Sequence, residues 1–438
     1  MKLNYLFLTL FTFAIFSCTQ NNKQEGAQTK DSVASAVEAP QQEPTPQPAI
    51  ASSEPLPAAD VIPIEFSKQL IKLASGDSFA LAVPKGFVVT PVAWGMQRIR
   101  FMDTAPNGRL FLTDMFNLSD NSKGKVYILD DFNDSTLTFN KRITYLENLR
   151  NPNSLAFHTD ANGKEWLYLA LTDKLLRYPY ERGSEKPTAA PEVLDTYPDY
   201  GLSYRYGGWH LTRTICFGSN GKLYVSVGSS CNSCVEKEEV RASVVEMDAD
   251  GKNKKYFAHG IRNAVGLAWA EGGLYATCMA ADHLGKEQPD DVLVKVEDGQ
   301  NYGWPYCYYW NGKIYNDPLY DTVKTKITAD KVHPAFSYLG AHIAPLGLAW
   351  FGEQHADDAA LKNYFIVAEH GSYSPAIGRG YNLQRVRENA APEDFITGFQ
   401  DENKKVHGRP CGVYPIGKDR FYFTDDKFGV LYLVYKKE

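Results

Sequence analysis

The sequence SNGKLYVSV, residues 219–227, contains an Asn-Gly turn that leads into a short apolar and aromatic strand. Asn-Gly between two apolar runs is the strongest local signal for a β-hairpin. The same unit recurs along the chain, mostly at intervals of about 55 residues, with one longer interval that holds a Tyr- and Trp-rich insertion at residues 300–345. The six turns are Asn107-Gly108, Asn162-Gly163, Asn220-Gly221, Gly272-Gly273, Lys362-Asn363 and Gly417-Lys418.

Six hairpin repeats of this length predict an all-β fold, a six-bladed β-propeller over residues 63–438. The alternative, a pair of β-sandwiches, would not require the same hairpin in every repeat. The composition agrees, because 13% aromatic residues and 34 Gly favour short strands and tight turns. The net charge of −6 argues against a nucleic-acid partner. After residue 20, no apolar run approaches the roughly 18 residues of a membrane-spanning helix.

The N-terminus has the pattern of an export signal. Lys2 precedes a short apolar run at residues 3–16, and the segment that follows, up to Cys18, resembles a bacterial lipobox. We therefore predict a lipoprotein signal peptide at residues 1–17 and a lipidated Cys18, with an ordinary cleaved signal peptide as the alternative. Residues 18–62, rich in Pro, Gln and Ala, are predicted to form a disordered linker. The lipid anchor, on the periplasmic or cell-surface side, is the one membrane contact that the sequence predicts.

The hairpin repeats also predict where side chains meet. If the hairpins are the inner strands of the blades, the residues before the first strand and after the second lie at one mouth of the central channel. The positions before the first strand are mostly cationic or titratable: Arg100, Asn153, His210, Arg213, Arg262, Asn263, His342 and Arg409. The positions after the second strand are largely acidic: Asp114, Asp173, Ser229, Ala280 to Asp282, Glu369, His370, Asp425 and Asp426. Such a ring suits a polyanionic ligand together with a metal ion. The alternative is a set of ion pairs that only join the blades.

Several sequence blocks resemble the PQQ-dependent sugar dehydrogenases, which include soluble glucose dehydrogenase, aldose sugar dehydrogenase and the sorbosone dehydrogenase-like branch. The blocks are WHLTRTI (209–215), GSNGKLYVSVGSSCN (218–232), GIRNAVGLA (260–268), DHLG (282–285), NYGWP (301–305), APLGLA (344–349) and GRPCGV (408–413). The resemblance implies a propeller that binds pyrroloquinoline quinone (PQQ) and Ca²⁺ at one mouth. It also implies oxidation of a hydroxyl group, or of an aldehyde, in an aldose or a related sugar or polyol, in which a histidine removes the hydroxyl proton while a hydride moves to the quinone.

The resemblance extends to individual residues. His210 matches the family's general base, a role that suits an imidazole because its ordinary pKa is close to working pH. Arg262 and Asn263 match the Arg-Asn pair beside the quinone, and Arg409 matches an arginine that holds the cofactor's carboxylates. Backbone carbonyls and one carboxylate are expected to bind the Ca²⁺. These expected metal ligands are Ala280, Ala281 and Asp282.

The chain departs from the family at two cationic positions. Where soluble glucose dehydrogenase has a lysine near the cofactor, this chain has Glu369-His370-Gly371, and Cys411 stands where the family has a second arginine. We expect other side chains to replace these anchors, with Arg379 a looser candidate. The expected replacements are Arg100, Arg213 and His370. Sugar specificity is predicted to lie in the insertion and in the loop at residues 371–380.

The cysteines bear on how electrons leave the protein. Of the seven cysteines, Cys18 is assigned to the lipid anchor, and the even remainder permits disulfides in an exported protein. Cys231 and Cys234 are predicted to pair locally. A zinc site would need a second CxxC motif, and Val235 stands where a c-type haem motif requires His. Electrons are therefore predicted to pass to a separate acceptor, a cytochrome or a quinone.

Two other functions remain open on the sequence. A Ca²⁺-dependent propeller lactonase would need a ring of Asn, Asp and Glu side chains around the metal, whereas the predicted ring here contains arginines and His210. A non-catalytic propeller could keep the same blocks for blade packing and act as a binding module. The leading prediction is a PQQ- and Ca²⁺-dependent sugar oxidoreductase.

Overall fold

Six antiparallel sheets, arranged as blades around one channel, make up most of the protein. The computed structural model describes residues 62–199, 210–324, 326–388 and 390–437. The predicted signal peptide, Cys18 and the linker up to residue 61 lie outside these residues. The described secondary structure consists of strands and two short 3₁₀ helices. Within these ranges, no helix has the length and hydropathy needed to cross a membrane.

Each of the first three blades is built from four consecutive strands. They follow a hairpin of β1 (Phe66–Lys72) and β2 (Ser78–Pro84) and a single strand, β3 (Phe87–Ala93). Blade 1 contains β4 (Ile99–Thr104), β5 (Leu110–Asp114), β6 (Gly124–Asn133) and β7 (Thr138–Leu149). Blade 2 contains β8 (Ser154–Thr159), β9 (Glu165–Ala170), β10 (Lys174–Pro179) and β11 (Glu192–Thr196). Blade 3 contains β12 (Arg213–Phe217), β13 (Lys222–Val227), β14 (Ser243–Asp248) and β15 (Lys255–His259).

The second half of the chain repeats this plan and carries the insertion. Blade 4 begins with β16 (Leu267–Ala270), β17 (Gly273–Cys278) and β18 (Asp290–Val296). The insertion then adds β19 (Gln300–Asn301), which pairs in parallel with β15, a hairpin of β20 (Cys307–Trp310) and β21 (Lys313–Asn316), and 3₁₀ helices at Pro318–Tyr320 and Ala329–Lys331. Strand β22 (Ser337–Ala341) completes blade 4. Blade 5 contains β23 (Pro345–Phe351), β24 (Tyr364–Glu369), β25 (Asn382–Val386) and β26 (Glu393–Ile396), and blade 6 contains β27 (Pro410–Gly417), β28 (Arg420–Asp425) and β29 (Val430–Lys436).

The first strand of every blade lies at the centre of the ring. Strands β4, β8, β12, β16, β23 and β27 each contact the next in a closed circle, and the six predicted turns join them to the second strands. The ring is closed by β3, which pairs antiparallel with β29, for example Thr90 with Leu433. The predicted all-β, six-bladed propeller is confirmed. The strand that completes blade 6 from the N-terminal side is a feature that the turn pattern did not reveal.

Buried hydroxyl groups tie neighbouring blades together near the channel. Thr277 Oγ1 donates to Leu346 O at 2.7 Å, and Thr424 Oγ1 donates to Arg100 O at 2.7 Å. Both threonines lie near the end of a second strand and are fully buried. Each bond satisfies a carbonyl on the innermost strand of the next blade, so it fixes the spacing of the first strands around the channel. The corresponding donors in blades 1 and 3 are Thr113 and Ser226.

Candidate active site

A cavity of about 680 Å³ opens at the mouth of the channel where the first strands begin. Its lining comes from loops and strand ends of blades 1, 3, 4, 5 and 6. The structure therefore gathers, at one place, side chains that lie far apart in the sequence. The predicted site residues that line this cavity are Arg100, His210, Arg262, Asn263, Asp282, His370 and Arg409.

His210 lies on the loop before β12 and lines the cavity. Its Nδ1 is 2.8 Å from Ser229 O and 3.0 Å from Ser229 Oγ. Because a carbonyl oxygen can only accept a hydrogen bond, Nδ1 carries the proton and Nε2 keeps its lone pair. Burial, together with the nearby charge of Arg262, lowers the pKa of His210 well below its ordinary 6.5. The imidazole is therefore neutral near pH 7, which is the form that a general base needs.

Gly228, at the end of β13, permits the close approach of His210 and Asn263. A Cβ atom at this position would stand 2.6 Å from His210 Cβ and 2.7 Å from Asn263 Oδ1. Real Cβ contacts are longer than this, so any larger residue would displace one of the two neighbours. The absence of a side chain at Gly228 thus sets the spacing between the histidine and the Arg262-Asn263 pair.

Positive charge is concentrated on the side of the cavity formed by blades 1 and 6. Asp426, which is fully buried, pairs with Arg98 at 2.9 Å, with Arg100 at 2.5 Å and with His370 at 2.7 Å. Burial opposes ionisation, but His370 and the two arginines hold the pKa of Asp426 below its usual range. The single carboxylate of Asp426 faces two guanidinium groups, so it does not cancel their total charge. This side of the cavity therefore has a net positive potential.

Arg409 is held in place by the loop that follows β24. Its Nη1 lies 3.0 Å from His370 Nδ1, and its Nη2 donates to Ser372 O at 3.0 Å and to the Tyr381 hydroxyl at 3.1 Å. Since His370 Nδ1 accepts from Arg409 while Nε2 donates to Asp426, the imidazole is neutral. Burial also lowers the pKa of His370. His370, which we expected to replace a cationic anchor, instead orients Arg409 as a neutral hydrogen-bonding group.

Arg262 forms a hydrogen bond with a backbone oxygen that was expected to bind calcium. Its Nη1 donates to Ala280 O at 2.8 Å, and its other nitrogens bind Asn232. Asp282 lines the cavity and pairs with His342 Nδ1 at 3.1 Å. Ca²⁺ takes about six to eight oxygen ligands, and a guanidinium bound to one expected oxygen repels a second cation. The side-chain arrangement at Ala280 does not fit a Ca²⁺, so we derive no reaction step through this metal.

Other predicted residues lie away from this cavity. Arg213 is buried behind His210 and donates to His210 O at 2.7 Å, so it supports the backbone of the base. Ala281 lines a separate small pocket beside the insertion. Arg379 forms an ion pair with Glu287. Cys231 and Cys234 form a disulfide. The free cysteines among the described residues are Cys216, Cys278, Cys307 and Cys411.

Two cations in the cavity were missed by the sequence analysis. Arg98 and Lys427 both line it. Each stands next to a position that was predicted: Arg98 precedes Arg100 by two residues, and Lys427 directly follows Asp426. Extending the predicted ring by one or two residues along each hairpin would have found both. They add positive charge to the mouth of a chain that lacks two cationic positions of the family it resembles.

Comparison with known proteins places this site in a family. Residues 81–437, which include all of the cavity residues described above, match the TrAA12-like family. The chain belongs to the TrAA12-like family. An uncharacterized protein of Borreliella burgdorferi is 28% identical over 225 residues, which are 49% of this chain and 58% of that protein. The chain thus spans a little over half the length of this curated relative.

Solved structures similar to this TrAA12-like chain share its fold. The iodide structure of carbohydrate-active enzyme family AA12 from Trichoderma reesei has a TM-score of 0.65 and 17% identity, covering 82% of this chain and 98% of that chain. The holo form of the pyranose dehydrogenase PQQ domain from Coprinopsis cinerea has a TM-score of 0.66 and 18% identity, covering 82% of this chain and 97% of that domain. The apo-form soluble aldose sugar dehydrogenase from Escherichia coli has a TM-score of 0.52 and 12% identity, covering 80% of this chain and 100% of that enzyme. At these identities the likeness establishes the fold alone.

Proposed function

We propose that this TrAA12-like protein is a PQQ-dependent oxidoreductase that oxidises a CH–OH group of an aldose or a related sugar or polyol. The observation that carries the proposal is a neutral histidine, His210, whose Nε2 accepts no hydrogen bond from the residues that the structure describes, in a cavity rich in cations. A general base and a polyanion-binding surface thus share one cavity. The cations that line it are Arg98, Arg100, Arg262, Arg409 and Lys427.

The cations of the cavity fit a quinone that carries several carboxylates. Arginine binds a carboxylate through two parallel hydrogen bonds, and lysine binds it as a point charge. Arg98, Arg409 and Lys427 would hold the carboxylates, and Arg262 would face the quinone oxygens. Arg100 is 3% exposed and is already bound by Asp426, so it would contribute mainly through its charge. When bound, PQQ would supply an acceptor for the electron pair that leaves the substrate carbon.

The chain's own part in the reaction is proton transfer and charge stabilisation. His210 Nε2 would accept the proton of the substrate hydroxyl as the carbon–oxygen bond becomes a carbonyl, while Ser229 keeps the ring oriented through Nδ1. The charge of Arg262 disfavours the imidazolium that results, so the proton would be released readily to solvent. The electrons would then pass to an external acceptor, for which we propose a cytochrome or a quinone.

The two rival functions would require different lining residues in the cavity. A metal-dependent lactonase needs a metal held largely by carboxylate and amide oxygens. Among the described residues that line the cavity, Asp282 is the one carboxylate. A binding module would use the cations but would have no need of a histidine kept neutral with a lone pair on Nε2. The lining therefore favours the oxidoreductase over both rivals.

A pair of histidine variants tests the proposal. We expect His210→Ala to lower kcat for sugar-dependent dye reduction by about 100-fold or more. Its affinity for PQQ should stay within about threefold of the wild type, because the histidine acts on the substrate proton. His355→Ala, at the opposite end of the channel, is the matched control and should retain both properties. Full activity in His210→Ala would overturn the assignment of the base, and absence of PQQ binding by the wild type would favour the binding module.

We also propose that the protein is exported and held on the periplasmic or cell-surface side of a membrane by a lipid on Cys18. The support is the sequence pattern of residues 1–18. A Cys18→Ser chain should no longer incorporate labelled fatty acid and should leave the membrane fraction, because the acyl chains provide the attachment. Unchanged membrane association of this variant would contradict the proposal.

A further inference from the structure

The turn closed by the Cys231–Cys234 disulfide contacts Arg262 directly. Arg262 Nε donates to Asn232 O at 2.8 Å, and Nη2 donates to Asn232 Oδ1 at 2.9 Å. The same Oδ1 accepts the backbone N–H of Asp282 at 3.0 Å. Asn232 therefore binds one whole edge of the guanidinium and ties it to the loop after β17.

At the other side of the guanidinium, one nitrogen makes one short and one long hydrogen bond. Arg262 Nη1 donates to Ala280 O at 2.8 Å and, over a longer distance, to Met279 O at 3.4 Å. Arg262 is only 4% exposed, so its direction depends on protein acceptors and little on water. Loss of the Asn232 side chain would leave Nη2 without its carbonyl partner in a desolvated place. The guanidinium would then be held through Nε and Nη1 alone, so its orientation would be less strictly fixed.

The segment that holds Arg262 also holds the base. Ser229 accepts the Nδ1 hydrogen of His210, and Ser229 Oγ donates to Cys231 O at 2.7 Å. Residues 229–232 thus contact both groups that the proposed function uses, and the Cys231–Cys234 disulfide encloses Asn232. A short, cross-linked turn has few conformations, which is what exact placement of a charged side chain requires.

We propose that Asn232 is a positioning residue for Arg262 and that the Cys231–Cys234 disulfide keeps Asn232 in place. The inference rests on the proposed function, in which Arg262 faces the cofactor. With the turn cross-linked, Arg262 is ordered before the cofactor arrives, so binding carries little further loss of conformational entropy. The disulfide encloses a very short loop, and such loops add little to global stability. Its effect is therefore local, on the direction of Arg262.

Three variants of the turn test this role through the affinity of the apo-protein for PQQ. Asn232→Ala removes the Oδ1 acceptor and should weaken binding by about tenfold. Asn232→Asp keeps an acceptor for the guanidinium and should stay within about threefold of the wild type. Ser233→Ala is the matched control, because Ser233 Oγ contacts the Tyr320 hydroxyl at 3.0 Å and lies in the same turn. Its affinity should remain within about twofold of the wild type.

The pH profile of kcat/KM is a second readout, because a general loss of structure would not shift it. The charge of Arg262 helps to keep His210 unprotonated, so displacement of Arg262 should shift the acid limb of kcat/KM to higher pH. We expect this shift in Asn232→Ala and not in Ser233→Ala. The Cys231→Ser, Cys234→Ser double variant retains Asn232 and should reproduce both the weaker binding and the shifted limb, with a Tm close to that of the wild type.

The outcomes separate this inference from the proposed function. If Asn232→Ala and the double cysteine variant match Ser233→Ala in PQQ affinity and pH profile, the positioning role is wrong. If the double variant alone matches the wild type, the disulfide is not needed to hold Asn232, and that part of the inference is overturned. Failure of the wild type itself to bind PQQ would overturn the proposed function.

Discussion

At the scale of single residues, hydrogen-bond partners decide which side chains act as bases and which as cations. His210 and His370 both line the cavity, yet they have different roles. His210 donates from Nδ1 to Ser229, and its Nε2 has no hydrogen-bond partner in the described part of the chain, whereas His370 uses both nitrogens, one for Arg409 and one for Asp426. The hairpin repeats predicted that both would reach the channel mouth. Ser229 lies 19 residues from His210, across the same hairpin, and the partners of His370 come from blade 6, so neighbouring sequence carried no information on the protonation of either ring.

The lowered pKa of His210 predicts activity in mildly acidic solution. Burial first, and the charge of Arg262 second, move this pKa well below 6.5. Because a histidine with a lowered pKa resists protonation as the pH falls, the base stays functional below the ordinary histidine range. The acid limb of kcat/KM for the PQQ-loaded protein should therefore lie below pH 6.5. A limb above that value in the wild type would contradict the burial and charge argument.

Removal of calcium should leave PQQ binding largely unchanged. Arg262 Nη1 donates to Ala280 O, so positive charge remains at this position after chelation. PQQ titrations after dialysis against EGTA, and again after addition of Ca²⁺, should give affinities within about twofold of each other. Loss of binding in EGTA that Ca²⁺ restores would show that the metal displaces the guanidinium and binds there after all.

At the scale of strands and turns, the second strand of each hairpin has two functions. Its apolar residues pack between the sheets, and its terminal hydroxyl binds the next blade, as Thr277 and Thr424 do. The Asn-Gly turns and apolar runs made these hairpins predictable, because both signals are local. Strand β3 had no such signal. It pairs with β29 at the far end of the chain, and only the closed ring explains its position.

The contact between blades at Thr277 gives a stability prediction. Thr277 Oγ1 donates to Leu346 O at 2.7 Å and accepts from Gly266 N at 2.9 Å. Thr277→Val keeps the shape but leaves both groups unpaired in a buried place, and should lower the free energy of unfolding by about 1–3 kcal/mol. Urea unfolding measures the change, with the exposed Thr136→Val as control. An effect no larger than in the control would mean that these hydroxyls do not hold the blades.

At the scale of the whole molecule, a closed ring of six blades builds the site from distant parts of the chain. Five of the blades contribute a few residues each to the mouth, and blade 2 acts indirectly, through Asn153, whose Oδ1 accepts from Arg100 at 3.0 Å. The repeat predicted the architecture, because a hairpin unit must stack on its neighbours to bury both faces. The shape of the cavity depends on loops of unequal length, which the repeat does not describe.

Ring closure by β3 predicts the effect of a truncation. A chain that starts at Gly95 lacks this strand, loses the buried side chains of Phe87, Val89 and Val92, and leaves β29 as an exposed edge. The loss should cost about 5 kcal/mol or more, and the exposed edge should promote aggregation. Thermal unfolding and size-exclusion chromatography would show this, with a chain that starts at Lys85, which lacks the β1–β2 hairpin but keeps β3, as the control. Equal Tm values for the two chains would argue against closure by β3.

The central claim is that one cavity joins a polyanionic quinone to a histidine base. It is tested most directly by titrating the purified wild-type apo-protein with PQQ and then measuring dye reduction with a panel of aldoses and polyols. The account predicts saturable binding of one PQQ per chain, and dye reduction that requires both PQQ and a sugar. Absence of binding, together with absence of reduction with every sugar, would contradict it.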